Sequence, residues 1–177
     1  MDDVMVLPKE QSVEETVESL MQMYGQSILQ LVYAYVHNEA VAEDLTQEIF
    51  LKCYKALPTY QAKSSLKTWL WRIAINHAKD YLKSWHNQNV YTADDTVLHN
   101  VQSSEAIEQQ IIQQDEDAAL ANAVMQLPVI YREVIYLFYF EDYTMKQIAA
   151  LLQVNENTVK TRLRKGKALL KTRLEAL

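Results

Sequence analysis

The stretch TMKQIAALLQVNENTVKTRLRKGKALL, residues 144–170, carries the strongest local signal for a fold in this chain. Thr144 and Asn155 are favoured N-cap residues, and each precedes apolar residues that recur every three or four positions. A small residue in the first helix, Ala149, and an apolar residue in the turn, Val154, are typical of a helix-turn-helix. The apolar stripe of the second helix is Val159, Leu163, Gly166 and Leu170.

The opposite face of that second helix is polar and strongly basic. A helix-turn-helix places its second helix in the major groove of DNA, where such side chains reach base edges and phosphates. An ordinary helical hairpin in a bundle is the alternative, but bundle packing does not require so uniformly basic a free face. The outward residues are Asn157, Lys160, Thr161, Arg164, Lys165 and Lys167.

The composition of the whole chain predicts an all-α protein. Its 177 residues are 49% hydrophobic, which is enough to bury a core, yet they include only two glycines and three prolines. A sheet-rich fold needs many tight turns, and those turns need residues that tolerate positive φ. The scarcity of glycine also excludes GxGxxG motifs and phosphate-cradling loops, and with them nucleotide sites of those types.

Residues that usually supply catalysis or bind metals are scarce. The lone Cys53 cannot form an internal disulfide and lies on the apolar stripe of a predicted helix, so we expect a buried structural thiol. The four histidines form no HExxH motif and have no cysteine partners at metal-binding spacing. We therefore expect no catalytic residue, no metal and no cofactor.

Signals for a membrane are also missing from the sequence. The longest uninterrupted apolar run, residues 134–140, is far shorter than the roughly 20 residues that span a bilayer. The acidic start Met1-Asp2-Asp3 is unlike a signal peptide. We therefore expect a cytoplasmic protein without membrane insertion.

The net charge of −6 hides an alternation of acidic and basic blocks. Residues 1–50 hold ten acids and one base, whereas residues 51–90 hold seven bases and one acid. Residues 91–140 return to eight acids and one base, and residues 157–173 hold seven bases and no acid. This asymmetry predicts two separate surfaces that face a polyanion, with solvated lysine-rich helix faces as the alternative.

Helical periodicity accounts for the N-terminal half. Ser12 and Glu15 form a capping box that begins a long amphipathic helix, and His37 lies at its end. A second helix runs as far as Pro58, and a third covers about residues 66–85.

The periodicity then lapses and returns. Residues 86–104 are rich in Asn, Gln, Asp, Thr and Ser, which is typical of a linker, and helical spacing resumes near Glu105. Residues 134–140 could form a strand by residue type, but we predict helix after Pro128 because no partner strand is visible. The predicted organisation is a helical domain over residues 12–85, a linker over 86–112 and a second helical domain over 113–177.

The third predicted helix carries the other basic block. Apolar stripes wrap most of its circumference, and a helix that is basic only on its remaining strip is suited to lie against nucleic acid. The polar loop Tyr60–Ser65 before it holds an aromatic ring and a cation, which can hold an unstacked base. We expect Trp69 in the core, whereas Trp71 lies either in the core or against a base. The strip is Arg72, Asn76, Lys79 and Lys83.

Several of these segments match motifs of one family. Residues 42–50, AEDLTQEIF, and residues 67–76, KTWLWRIAIN, resemble region two of bacterial sigma factors, most of all the extracytoplasmic-function (ECF) subfamily of the sigma-70 family. The segments similar to region four of that subfamily are Leu127-Pro128, Arg132-Glu133-Val134, Ile148-Ala149 and residues 158–163, TVKTRL. The resemblance covers about residues 20–85 and 115–175, in the order of the family.

The resemblance implies two small helical domains joined by a flexible linker and bound to RNA polymerase, which itself carries out catalysis. It implies that region two melts and reads the minus-ten promoter element and that region four reads the minus-thirty-five element as duplex. The implied polymerase-binding residues are Asp44, Gln47, Glu48 and Phe50. The implied minus-ten residues are Tyr60, Gln61, Lys63, Ser64, Trp71, Arg72, Asn76, Lys79 and Lys83. The implied minus-thirty-five residues are Asn157, Thr158, Lys160, Thr161, Arg164, Lys165 and Lys167.

The partners implied by the resemblance are bacterial core RNA polymerase, promoter DNA as duplex and as single strand, and an anti-sigma factor, which in many family members is membrane-anchored. The free chain is expected to be a monomer. Because acidic segments adjoin the basic helices, we also expect free protein to bind DNA poorly until polymerase holds the two domains apart.

Three positions depart from the pattern of the family. Lys165-Gly166 stand where Arg-Ala is frequent, and lysine lacks the bidentate fork of arginine, so either Lys165 or Arg164 makes the base-specific contact. Glycine inside a helix costs up to about 1 kcal/mol relative to alanine, which a close approach of a neighbouring helix could explain. Trp71 stands where Tyr or Phe is usual.

A stand-alone helix-turn-helix regulator is the main rival interpretation. It explains residues 144–173 equally well, but it explains neither the basic strip of the third helix nor the loop before it. It predicts a dimer on a two-fold operator, whereas the sigma interpretation predicts a monomer that binds polymerase one to one.

Overall fold

The computed structural model describes residues 12–90 and 116–175, and these ranges contain seven α-helices and no strand. The all-α prediction is therefore confirmed for the described part of the chain. The helices are α1 (Val13–Val36), α2 (Glu39–Ala56), α3 (Leu66–Val90), α4 (Glu116–Met125), α5 (Val129–Tyr139), α6 (Met145–Leu152) and α7 (Glu156–Leu174), with a 3-10 turn at Leu57–Thr59. We call α1–α3 the N-terminal bundle and α4–α7 the C-terminal bundle. None of the described helices is long and apolar enough to cross a membrane.

Local capping sets most of the helix starts, as the sequence predicts. The Ser12 hydroxyl accepts a hydrogen bond from the Glu15 amide, and the Glu15 carboxylate accepts one from the Ser12 amide. Thr144 forms the same reciprocal box with Gln147 at the start of α6, and Asn155 caps α7. These caps satisfy amides that have no partner inside the helix.

Two boundaries differ from the prediction. Helix α3 continues to Val90 instead of ending near residue 85, because residues 86–90, HNQNV, include neither glycine nor proline to stop it. Pro128 is the N-cap of α5 and not a residue of its first turn. The rest of the predicted linker, and the helical start predicted near Glu105, lie outside the described residues.

The N-terminal bundle is built around large buried side chains. Helices α1 and α2 pack against each other, and α3 packs against both. Trp71 of α3 is fully buried and meets the ring of Tyr24 edge-on at 5.3 Å between centroids. Cys53 is also fully buried, and burial raises the pKa of its thiol to about 11. The prediction of a buried structural thiol is confirmed.

The C-terminal bundle packs α7 across α5. At Gly166 a Cβ atom would lie 3.2 Å from Cγ1 of Ile135 and 3.4 Å from Cβ of Tyr131. The glycine therefore permits the close approach of the two helices, an explanation that the sequence left open. Residues 134–139 belong to α5, which confirms helix over strand for this apolar run.

The two bundles pack directly against each other. Helix α5 contacts α1, and α6 contacts α3, so that buried side chains of both bundles belong to one hydrophobic core. The sequence predicted two domains but no contact between them. This contact, which we call the closed arrangement, brings one cation of α3 and one cation of α7 to the same side chain, as described below.

Candidate polymerase and nucleic-acid interfaces

Helix α7 presents the predicted basic face to solvent. Its apolar stripe is buried against the C-terminal bundle at Val159, Leu163 and Gly166. All but one of the side chains predicted to face DNA are exposed, and the exception, Thr158, is half-buried. The exposed ones are Asn157, Lys160, Thr161, Arg164, Lys165 and Lys167.

Three contacts modify this face. The backbone amide and hydroxyl of Thr158 both donate to Oδ1 of Asn155, so this hydroxyl belongs to the helix cap. Lys165 Nζ lies 5.6 Å from the centroid of the Tyr131 ring, which holds this cation against its own bundle. Lys160 makes only a long contact of 3.8 Å with Glu156, one helical turn away.

The basic strip of α3 is less accessible than the basic face of α7. Asn76 and Lys83 are exposed, whereas Arg72 is half-buried and its Nε has no hydrogen-bond acceptor among the described residues. Lys79 keeps 40% of its side chain exposed but pairs at 2.9 Å with Glu133 of the C-terminal bundle. The strip exists as predicted, and one of its cations is already occupied.

The loop between α2 and α3 is partly preorganised. The Tyr60 hydroxyl donates to the backbone carbonyl of Ser64, and the Tyr60 ring packs 5.2 Å from that of Trp69. Gln61 and Lys63 remain exposed at the loop surface. This arrangement leaves two polar side chains beside a fixed aromatic ring.

Trp71 is not available to stack on a base. The side chain predicted for the minus-ten surface is fully buried, and the ammonium of Lys67 covers its ring at 4.8 Å. The spacing allowed either the core or a base for Trp71, and the resemblance assigned it to the minus-ten surface. It lies in the core because α1 covers this side of α3. Trp71 faces α1 and not the solvent-exposed strip.

The exposed face of α2 carries three of the four predicted polymerase-binding residues. Asp44, Gln47 and Glu48 are exposed, and the last two lie three and four positions after Asp44, on one side of the helix. Phe50 is only 5% exposed and belongs to the core, so it offers no contact surface in this structure. Leu51, one position further, is an exposed apolar side chain of α2.

Glu48 is held by a side chain of α3. Nε2 of His77 lies 2.6 Å from Oε2 of Glu48, and Nδ1 of His77 lies 2.7 Å from Nζ of Lys52. An ammonium can only donate, so Nδ1 accepts and the Nε2 hydrogen is donated to the carboxylate. His77 therefore links the exposed face of α2 to α3.

Charged groups meet at the contact between the bundles. The Glu133 carboxylate of α5 is 3% exposed and accepts from the Tyr35 hydroxyl at 2.7 Å and from Lys79 at 2.9 Å. Its other oxygen accepts from Arg162 of α7 at 3.0 Å. Burial, and then the charge of Glu133, raise the pKa of Tyr35 well above its ordinary value, so this hydroxyl stays a donor.

Sequence reasoning did not identify this cluster as a site. The signal was present, because Arg132 and Glu133 interrupt an apolar run of α5 where a charged pair must be buried with partners. The partners themselves come from three other helices that lie far away in sequence. No group of three or more His, Cys, Asp or Glu side chains among the described residues is placed to hold a metal ion.

A helical bundle with a basic strip, followed by a helix-turn-helix with a basic second helix, defines a DNA-binding transcription protein. Residues 20–87 match the family Sigma-70 region 2, and residues 117–170 match Sigma-70, region 4. The chain is 30% identical over 161 residues to the RNA polymerase sigma-H factor of Pseudomonas aeruginosa, covering 87% of this chain and 83% of that protein. It is 27% identical over 185 residues to the ECF RNA polymerase sigma-E factor of Escherichia coli, covering 99% and 95%.

Solved structures give the same fold. The sigma factor RpoE of Bartonella quintana, in complex with the anti-sigma factor NepR, superposes with a TM-score of 0.71 at 19% identity, over 90% of this chain and 97% of that one. CnrH, in complex with the cytosolic domain of CnrY, superposes with a TM-score of 0.65 at 20% identity, over 92% and 90%.

This chain belongs to the ECF subfamily of the sigma-70 family. It is an RNA polymerase sigma factor that binds core polymerase and directs promoter recognition and transcription initiation.

Proposed function

We propose that three surfaces of this sigma factor make three different contacts. The exposed side of α2, with Asp44, Gln47 and Glu48, contacts core polymerase. The loop at Tyr60–Ser65 and the strip of α3 contact the minus-ten DNA as it opens. The exposed face of α7 reads the minus-thirty-five duplex. The observation that supports this most is that two exposed basic surfaces lie in the separate segments that match region 2 and region 4.

The residues on α7 divide into base-reading and backbone-contacting groups. Arg164 is exposed, and its planar fork suits a guanine edge. Lys165 lies over the Tyr131 ring, which directs its charge toward its own bundle. We therefore assign the base-specific contact to Arg164 and a phosphate contact to Lys160.

The remaining features of the proposal concern partners and location. The chain acts in the cytoplasm as a monomer and has no catalytic centre of its own, since the polymerase performs the chemistry. An anti-sigma factor regulates it. Support for this partner comes from the superposed sigma factor RpoE, which was solved in complex with the anti-sigma factor NepR.

Co-elution with sigma-free core polymerase on a sizing column tests the polymerase surface. Wild type should form a one-to-one complex. Glu48→Arg, which reverses a charge on the exposed side of α2, should weaken the complex about tenfold or more, as for a lost charge-pair contact. Glu175→Arg makes the same change at the exposed end of α7 and is the matched control. Equal affinity of both variants would assign polymerase binding to another surface.

The Asn76→Ala variant tests polymerase binding and DNA binding separately. Asn76 is exposed on the α3 strip, which we assign to DNA and not to polymerase, so the variant should co-elute with polymerase as wild type does. Promoter opening, followed by permanganate reactivity of unpaired thymines, should decrease. Loss of co-elution would mean that the strip contacts polymerase and not DNA.

A further inference from the structure

The Glu133 carboxylate joins the two bundles of the closed arrangement. Two of its three partners, Tyr35 and Lys79, belong to the N-terminal bundle, and the third, Arg162, belongs to its own. All three contacts are 3.0 Å or shorter, and only 3% of the carboxylate side chain is exposed. A buried carboxylate with fewer partners would be costly, because its charge would remain uncompensated.

The neighbouring contacts reinforce the same interface. Helix α1 has no basic residue in its last turn, and the guanidinium of Arg132 donates at 2.8 Å to the Ala34 carbonyl there. That carbonyl lies at the negative end of the helix dipole, where a cation is favourable. Arg132 and Glu133, adjacent in α5, thus bind Ala34 and Tyr35, adjacent in α1. A further ion pair crosses the interface, because Lys67 of α3 lies 3.4 Å from Glu141, which follows α5.

The pairing of Lys79 connects this interface to DNA binding. Lys79 is one of the four residues of the α3 strip that we assign to promoter DNA. A carboxylate and a phosphate present similar oxyanions to an ammonium, so Glu133 and DNA compete for the same cation. When the bundles separate, Glu133 keeps Arg162 and gains water, whereas Lys79 becomes free. Glu133 and Lys79 therefore have compensating partners or water in the closed and in the open arrangement.

We propose that Glu133 is an internal competitor of promoter phosphate, which holds the free sigma factor closed until the bundles are separated. The inference rests on the proposed DNA-binding role of the α3 strip. If only the open fraction presents the complete α3 strip to DNA, the apparent affinity of that strip for DNA is reduced by that fraction. The closed arrangement therefore lowers the affinity of the free chain for DNA through one buried carboxylate, and not only through the diffuse acidity of the chain.

Two variants of the full chain open the contact in different ways. Tyr35→Phe removes one hydroxyl, changes no charge and leaves both cations on Glu133. Glu133→Gln removes the charge that both cations compensate, and Glu175→Gln makes the same charge change at an exposed position. The probe is a fluorescein-labelled 20-nucleotide single strand of mixed sequence, and its anisotropy gives the affinity. Small-angle X-ray scattering gives the radius of gyration.

We expect Tyr35→Phe to increase both the radius of gyration and the affinity for the probe, the affinity by about tenfold, which corresponds to one hydrogen bond to a charged group. Glu133→Gln should increase both further, and Glu175→Gln should match wild type except for a small general effect of charge. Thermal unfolding followed by circular dichroism verifies that each variant is folded. If Glu133→Gln does not fold, Tyr35→Phe alone decides the result.

Other results would overturn the inference. Folded variants with unchanged scattering and unchanged affinity would show that Glu133 does not hold the bundles together. An equal gain of affinity in Glu133→Gln and Glu175→Gln, with none in Tyr35→Phe, would reduce the effect to net charge. A more open Tyr35→Phe variant that binds the probe no better would show that closure does not mask DNA-binding residues. Co-elution of wild type with polymerase is measured separately, so failure of the polymerase role is distinguishable from failure of this inference.

Discussion

The two basic surfaces of this sigma factor are built in opposite ways. Helix α7 buries one stripe against its own bundle and leaves a broad basic face in solvent. Helix α3 is covered on most sides, and one cation of its narrow strip, Lys79, is bound to Glu133 of the other bundle. On our proposal, the α7 face reads duplex DNA and can be exposed permanently, whereas the α3 strip meets DNA only after strand opening and can stay partly occupied until then.

The largest expected effect is on the free energy of unfolding, and it tests whether Trp71 of α3 is buried in the N-terminal core. Trp71→Ala should lower the free energy of unfolding by about 3 to 5 kcal/mol, because it empties a fully buried site in the N-terminal core. Urea denaturation followed by circular dichroism measures the loss. Trp85→Ala, at a position 40% exposed near the end of the same helix, should cost markedly less. Similar small losses in both variants would mean that Trp71 is accessible, as for a base-stacking role.

The next effect tests which basic surface meets DNA in the free chain. Lys160→Ala should reduce the slope of log affinity against log salt by about one counterion on duplex DNA, because one phosphate contact is lost. Lys79→Ala should leave that slope nearly unchanged in the free chain, since Lys79 already neutralises Glu133. Fluorescence anisotropy titrations across a series of salt concentrations provide both slopes. Equal reductions would contradict the difference that we draw between the two helices.

The smallest effect concerns pH and the contact between Lys67 and Glu141. Burial raises the pKa of Glu141 above its ordinary value of 4.5, although Lys67 opposes the shift. The folded chain then holds this proton more tightly than the unfolded chain. The stability contribution of Glu141 is therefore fully present below about pH 4.5 and is lost as pH rises through the raised pKa.

Glu141→Gln cannot titrate, so its stability relative to wild type should rise between pH 4.5 and neutral pH. Urea denaturation at a series of pH values measures the difference, and Glu175→Gln serves as the exposed control. A difference between Glu141→Gln and wild type that stays constant with pH would mean that the carboxylate is solvated, and hence that the bundles are not closed over it.

Local rules predicted much of the fold and part of the site. Capping boxes, helix periods and turn residues depend on neighbours within four positions, and these predictions are confirmed at Ser12, Thr144 and Asn155. Burial was harder to predict, because a helix period identifies which residues share a face but not how many faces are covered. Phe50 and Trp71, which the family resemblance assigned to contact surfaces, both lie in the core.

The sequence by itself determined the all-α class, the helix-turn-helix and the two basic surfaces, because each depends on residue type and short-range spacing. Only the tertiary structure decided that Lys79 of the α3 strip and Arg162 of α7 meet at one buried carboxylate. The partners of Glu133 lie 98 residues away at Tyr35 and 29 residues away at Arg162. No local period relates them, because their proximity results from packing α5 between α1 and α7, which buries apolar area and brings the charges together.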